Sequence, residues 1–299
     1  MKETFSDKLH LNKTNQERLF VVNSIVDEYT SQGYILTLRQ LYYQLVSRGI
    51  IPNKQSEYSK LSSLLVEGRM AGIVDWDAIE DRLRQPYLPY FVSGTQEAIK
   101  DTIDYYRLDR QKGQDTYIEL WVEKDALSGV LKPITSYYHI NLMVNRGYSS
   151  CSAMYHAYKR FSQQLYDNKN IVILYLGDHD PSGLDMLRDI QSRLEEFGLG
   201  YFSTDNLFEF EIKHIGLTKE QIQKYNPPPN PAKITDPRAN SYILEHGNIS
   251  WEVDALNPKI LNTLVKTNIE SLIDIDLFAK QLQQETKDKK KLEKYMKIL

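Results

Sequence analysis

Apolar residues recur at helical spacing in the first part of the chain. Leu19, Val22, Ile25 and Val26 form one stripe across 15–29, and Gly33 breaks the run. Thr37 is placed to N-cap the next helix, LRQLYYQLVSR, which Gly49 stops. A turn at Pro52 and Asn53 follows, with Ser56 the expected cap of a third helix over 57–70. The whole of 15–84 thus reads as helices joined by short turns, except that 72–76, within GIVDWDAIEDR, is β-prone. Three helices followed by a short extended piece is the layout of a winged helix, a module that docks on DNA in some proteins and on other proteins elsewhere.

From 117 onward the period changes. YIELWV (117–122) is an apolar run suited to a buried strand, followed by a helix over 126–136 and a strand over 140–144 that ends at Arg146 and Gly147. A helix over 149–166 leads to NIVILYL (170–176), the clearest buried strand, then to a helix over 185–197 and a strand over 208–212. This alternation predicts a parallel α/β sheet. Right-handed crossovers then put the loops after the strands on one edge, where ligands bind. Beyond Leu217, Pro227, Pro228, Pro229 and Pro231 mark an extended connector. WEVDALNPKIL and a helical end, KDKKKLEKYMKIL, complete the chain. Its lysines (Lys287, Lys289, Lys290, Lys291, Lys294, Lys297) read as a solvated helical face rather than a phosphate contact.

Composition narrows the class. With 299 residues, 41% hydrophobic and 26% charged, the chain is long enough for one large domain or two to three smaller ones. A single cysteine, Cys151, excludes an internal disulfide framework. No apolar run reaches the roughly 20 residues that span a bilayer, and the polar start MKETFSDKLH lacks the marks of a secretory or transit peptide. A soluble, cytoplasmic protein without a membrane partner is expected. The net charge of −3, from 37 basic against 40 acidic residues, gives no global nucleic-acid footprint, so DNA binding would need a local patch helped by metal ions. Tyrosine is abundant, 21 against 9 Phe and 3 Trp, which suits interfaces, base stacking or half-exposed cores alike.

The chemical signal lies at two strand ends. Glu123 follows YIELWV, and Asp178 and Asp180 follow IVILYLG. In a parallel sheet these ends share an edge, so the three carboxylates can converge on a hard cation such as Mg²⁺, which prefers oxygen ligands. In an extended loop Asp178 and Asp180 would face together and His179 away, with Gly177 and Gly183 permitting tight turns; Asp180 could also cap the following helix. Glu252 and Asp254 alternate as in a strand, either adding to a metal site or lying on a solvated face.

Glu123 after a strand, GYSSCSAMYHAY after the next, and then LGDHDPSG resemble the Toprim domain of type II topoisomerases. The likeness is greatest to the A subunit of topoisomerase VI and its relative, the eukaryotic meiotic double-strand-break enzyme. Asp178, Asp180, Pro181 and Gly183 match that family's DxDPxG motif, and Arg146-Gly147-Tyr148-Ser149-Ser150 resembles the basic segment between its two acidic motifs. The family carries its nucleophile on a winged helix ahead of the Toprim domain, as Arg, two variable residues and Tyr-Tyr. Arg39-Gln40-Leu41-Tyr42-Tyr43 matches that pattern, and KLSSLLVEGRMAGI resembles the helix ending in an Arg, here Arg69. WEVDALNP resembles a motif of bacterial and phage Toprim proteins of unassigned function.

The resemblance implies a fold of an N-terminal winged-helix domain (1–90), a Toprim-like parallel α/β domain (115–215) and a small C-terminal helical region (216–299). It implies Mg²⁺ at Glu123, Asp178 and Asp180, DNA contacts at Arg69 and Arg146, and cleavage of double-stranded DNA through Tyr43. It further implies a homodimer in which Tyr43 of one protomer faces the acids of the other. Helical geometry bears separately on the tyrosine. Leu38, Leu41, Tyr42 and Leu45 form the core stripe, while Arg39 and Tyr43, four apart, lie off it, so Tyr42 is expected buried and Tyr43 presented beside a cation that favours phenolate. No phosphate-binding Gly-rich loop is present, so strand passage would require a separate ATPase subunit. The competing readings are a hydrolytic Toprim nuclease, of mobile-element or phage-defence type, and a non-catalytic DNA-binding protein.

Overall fold

The computed structural model describes residues 2–5, 11–80, 89–199, 209–231, 236 and 238–296. Its N-terminal part is α1 (Lys13–Thr30), β1 (Leu36–Thr37), α2 (Leu38–Ser47), α3 (Gln55–Met70) and β2 (Ile79–Glu80), with β1 and β2 paired in parallel. Thr37 caps α2 as expected and forms a full capping box with Gln40. α3 instead begins at Gln55, after Lys54, with no side-chain cap. The β-prone stretch at 72–76 is a turn, and the extended piece comes later, at β2. The end of the expected helical segment, 81–84, lies outside the described residues. Leu19, Val22, Ile25, Tyr29, Leu41 and Leu64 anchor this unit's core, which Ala255, from far along the chain, also joins.

The centre is a four-stranded all-parallel sheet in the order β4–β3–β5–β6, from β3 (Thr116–Val122), β4 (Asn141–Val144), β5 (Asn170–Leu176) and β6 (Phe210–Gly216). Phe208, the expected start of the last strand, lies outside the described residues. Between the strands run α5 (Ser128–Tyr138), α6 (Cys151–Tyr166) and α7 (Pro181–Glu196). The unbroken apolar runs of β3 and β5 arise because both faces are covered, with alternate residues serving opposite cores. Trp121, Ile171, Ile173 and Tyr175 pack under α6 and α7 against Phe161, Met186 and Ile190. Leu120, Val122, Leu174 and Leu176 pack on the other face against α5 and the C-terminal region.

That region is more than an appendage. α8 (Lys219–Tyr225), β7 (Asn230–Pro231), α9 (Ala239–His246) and β8 (Ile249–Ser250) lead into α10 (Pro258–Glu270) and α11 (Ile275–Met296). Leu261, Val265 and Ile269 of α10, with Phe278 of α11, close the second face of the sheet. A helix not foreseen from the sequence, α4 (Thr95–Tyr105), packs along α11, where the buried Glu285 accepts from Arg110 Nη2 at 2.7 Å. The described part of the lysine-rich end is a largely exposed helix, as expected. Among the described residues no helix is long and apolar enough to cross a membrane.

Candidate active site

Glu123 and Asp178 do meet at the carboxyl edge of the sheet: the Asp178 backbone N–H donates to Glu123 Oε2 at 3.0 Å. Asp180 has the helix-cap role, its Oδ1 accepting from the Gly183 N–H at 2.7 Å and from Ser182 Oγ at 2.9 Å. The turn is tight enough that a Cβ on Gly183 would stand 2.2 Å from the Asp178 carbonyl oxygen. His179 turns away, its Nδ1 2.9 Å from the Tyr242 hydroxyl. Among the described residues, no three His, Cys, Asp or Glu side chains are grouped to hold a metal ion. The three expected acids lie on this one edge, with a lysine beside Asp178 and with Asp180 capping α7.

That lysine is Lys124, next to Glu123 and absent from the expected site. Its ammonium lies 2.7 Å from Asp178 Oδ2, 2.7 Å from Glu252 Oε2 and 3.0 Å from Asp254 Oδ1. Glu252 and Asp254 arrive because the segment after β8 runs along the Asp178–Asp180 loop. Trp251 and His179 exchange backbone hydrogen bonds at 2.9 and 3.0 Å, and the Val253 N–H donates to Asp178 Oδ1 at 2.9 Å. Glu252, extended, leads into a 3-10 turn over Val253–Ala255, and from there Glu252 and Asp254 both reach Lys124. The solvated alternative is excluded for Asp254, whose side chain is fully buried.

The same two acids hold the N-terminal unit. Arg39 Nε lies 2.7 Å from Asp254 Oδ2, and its Nη2 pairs with Glu252. Arg39 also sits beside Tyr43, with Nη2 3.4 Å from the hydroxyl and the guanidinium 5.5 Å from the ring centre. Asn257 Nδ2 donating to the Tyr29 hydroxyl (2.8 Å) and Asn53 Nδ2 donating to the Pro229 carbonyl (2.9 Å) fasten the units further. One corrected expectation follows. Tyr43 is buried like Tyr42, both 4% exposed, because the 252–255 segment covers the face that the stripe left open. The Tyr43–Arg39 pair also joins acids of its own chain, Glu252 linking Arg39 to Lys124 and Lys124 reaching Asp178.

Electrostatics follow from this crowding. Burial pushes the Asp178 carboxyl up to about 8; Lys124 opposes the shift, and Glu123 and Asp254 add to it. Glu252 goes the other way: against the effect of burial, Lys124 and Arg39 hold it down at about 2. Burial, and then Glu252, push the Tyr43 hydroxyl well above the ordinary phenol value despite Arg39, so the phenolate is not favoured in this arrangement. Two cations, Arg39 and Lys124, face three carboxylates, Asp178, Glu252 and Asp254. Glu123, Asp178 and Asp180 offer oxygen donors only, the chemistry that Mg²⁺ takes.

The two expected DNA-contact arginines differ. Arg69 is turned inward, with Nη2 donating to the Trp76 and Ile79 carbonyls at 3.0 and 2.7 Å, and it fixes the turn between α3 and β2 rather than presenting a charge. Arg146 is exposed after β4, in a left-handed conformation (φ 51°), and pairs with Asp125 at 3.1 Å. Lys124 could have been found from the sequence, since it directly follows Glu123, just past the end of β3. Its three partners could not, as they come from two distant segments.

Among known families, the one described as the Toprim domain of the topoisomerase 6 A subunit and Spo11 matches residues 118–291. The match runs past Leu217, beyond the 115–215 span expected of the Toprim-like domain, and takes in α10 and most of α11. Searches of curated proteins and of solved structures returned no match. At the level of the family, a Toprim domain implies topoisomerase-related DNA cleavage and general Mg²⁺ binding. The match covers more than half of the 299 residues, including the whole parallel sheet and its acid-bearing edge, and the chain belongs to the Toprim family that unites the topoisomerase 6 A subunit with Spo11.

Proposed function

We propose that the protein cleaves double-stranded DNA by strand transfer to Tyr43, with Mg²⁺ held by Glu123, Asp178 and Asp180. One observation carries this reading: Arg39 and Tyr43 are joined, through Glu252 and Lys124, to Asp178 at the carboxyl edge of the sheet. In the proposed step Tyr43 Oη bonds to phosphorus while the bond to the 3′ oxygen breaks, leaving the protein on the DNA. The ion, when bound, supplies charge neutralisation at the phosphate. Arg39 binds a phosphate oxygen. To do so it must leave Glu252, which stays paired with Lys124. Arg146 offers an exposed cation to the DNA backbone on the same edge. Paired cuts call for two tyrosines and hence a C2 homodimer, and strand passage calls for a separate ATPase subunit.

A second reading has one observation in its favour. The buried, strongly protonated Tyr43 suits a structural residue, in which case water attacks and the enzyme is a hydrolytic nuclease. Supercoiled plasmid incubated with Mg²⁺ and quenched with denaturant separates the two. Protein-linked breaks are expected; free 5′-phosphate ends would establish hydrolysis instead, and no metal-dependent break at all would leave a DNA-binding protein.

A further inference from the structure

A cavity of about 370 Å³ opens beside Tyr43, between α2, the start of α3 and β7. That volume falls within the range of ligand pockets, roughly 300–1,000 Å³. Its lining combines three chemistries. Tyr58, half-buried and edge-on to Tyr42 at 5.3 Å between ring centres, supplies an aromatic wall. Lys54 is exposed at the mouth and makes no ion pair among the described residues. Gln55 and Asn230 supply amides. Asn230 Oδ1 accepts from Asn53 at 2.7 Å, while its amide nitrogen and the whole Gln55 amide have no partner among the described residues. Asn53 itself is used up, accepting from the Tyr42 hydroxyl at 2.9 Å and donating to Pro229 and Asn230.

A π-face, an anion and an edge of mixed donors and acceptors occur together in a nucleotide whose base is out of the helical stack. We propose that this cavity receives one unpaired nucleotide of the bound DNA, with the base against Tyr58, its edge read by Gln55 and Asn230, and its phosphate on Lys54. The base of a paired nucleotide cannot enter, since its edge is already engaged and its faces are stacked. Amide side chains meet base edges in both donor and acceptor roles, and aromatic walls take any base by stacking. Glu252 also lines the cavity, but Arg39 and Lys124 neutralise it, so the mouth is not closed to an anion. The inference rests on the reading of this face as the DNA-cleaving site, and it names what the DNA must present there: a locally unpaired position.

The test is equilibrium binding in EDTA, where no metal-dependent cleavage occurs. Three duplexes are compared: one fully paired, one with a single bulged 2-aminopurine, and one with the same bulge carrying an abasic site. The full-length protein should bind the 2-aminopurine bulge about tenfold tighter than either of the others, the scale of one base–aromatic stack. Tyr58→Ala should bring both ratios toward one, Lys54→Ala should bring the ratio over the paired duplex toward one, and Tyr58→Phe should keep both. A wild-type ratio near one overturns the proposal, as does an abasic bulge bound as well as the 2-aminopurine bulge, or a ratio unchanged in both alanine variants. Lys54 is exposed, so its variant remains informative if Tyr58→Ala folds poorly. The ratio is independent of Tyr43 chemistry. An intact ratio without protein-linked plasmid breaks keeps the pocket and removes the tyrosine reading, whereas breaks without a ratio do the reverse.

Discussion

Replacing Lys124 by Met removes the one cation shared by Asp178, Glu252 and Asp254 while keeping most of the side-chain volume. Each contact of 2.7 to 3.0 Å is worth roughly 6 kcal/mol gross at an effective dielectric of about 20. Most of that is offset by the desolvation of four charges. What the substitution exposes is the penalty of leaving buried carboxylates with Arg39 alone, about 3–5 kcal/mol for a broken buried pair. At about 2–4 °C per kcal/mol for a chain of this order of size, the melting temperature should fall by roughly 10 °C. The loss should also depend on pH. Asp178 already has its folded value raised to about 8 above the ordinary carboxylate, and removing Lys124 raises it further. A group whose folded value exceeds its unfolded one takes up a proton on folding, so stability rises as pH falls. The gap between variant and wild type should therefore be flat from about pH 6 to 7 and widen between about pH 8 and 10, where Asp178 ionises in the wild type and stays protonated in the variant. Circular-dichroism melts across that range decide the matter. A variant melting within about 2 °C of wild type, or a gap constant with pH, would refute the picture of a lysine-neutralised acid cluster.

Further outcomes are expected. Tyr43→Phe should keep the fold and DNA binding and form no covalent adduct, while Tyr42→Phe should retain activity and lose about 1 kcal/mol of stability with its hydroxyl bonds to Asn53 and Lys54; a denaturing gel and a melt read both. Gly183→Ala should cost roughly 1–3 kcal/mol or more, because the new methyl meets the Asp178 carbonyl oxygen at 2.2 Å; an unchanged urea midpoint would contradict the close approach. Glu252, held at about 2 when folded, contributes stability above its unfolded value that is lost as pH falls toward 2, so Glu252→Gln should flatten the acid limb of the stability profile. Light scattering should give a dimer, twice the 34.9 kDa of one chain, and monomer alone, with and without DNA, would count against paired cuts.

The sheet was the most legible part of the chain, for a physical reason. NIVILYL and YIELWV are apolar throughout because both faces of β5 and β3 are covered, and such runs need no partner to be recognised. Helix starts were less visible. α7 begins at Pro181 rather than Asp185, proline being well suited to the first helical position. α4 escaped notice because only Ile103 of its residues is buried. The stripe on α2 correctly put Leu41, Tyr42 and Leu45 inside but left Tyr43 and Gln40 outside. Both are buried, because a helix packed on two sides shows only one of them in its periodicity. At the edge of the sheet the acids could be read from strand ends. The identity of their counter-ion could not, because Lys124 is defined by contacts with residues more than 50 positions away.

Arg39 and Lys124 are better understood as a contested pair of cations than as stabilising struts. A buried ion network seldom outperforms an apolar core of the same shape, so fastening α2 to the 252–255 segment does not by itself call for charges. What distinguishes this network is that its carboxylates occupy the donors of Arg39 and Lys124 that anionic phosphate oxygens would also take. With Glu252 and Asp254 in place, the cationic fork is satisfied and Tyr43 is held in its protonated form. A phosphate entering the cavity beside Tyr43 competes for the same guanidinium. A hard cation drawn to Asp178 would compete in turn with Lys124. Each exchange would take a counter-charge from the resting network, Arg39 from Glu252 and Lys124 from Asp178. Under the proposed strand transfer to Tyr43, such an edge would stay quiet until DNA and cation arrive together, as a protein that breaks its own substrate's backbone requires.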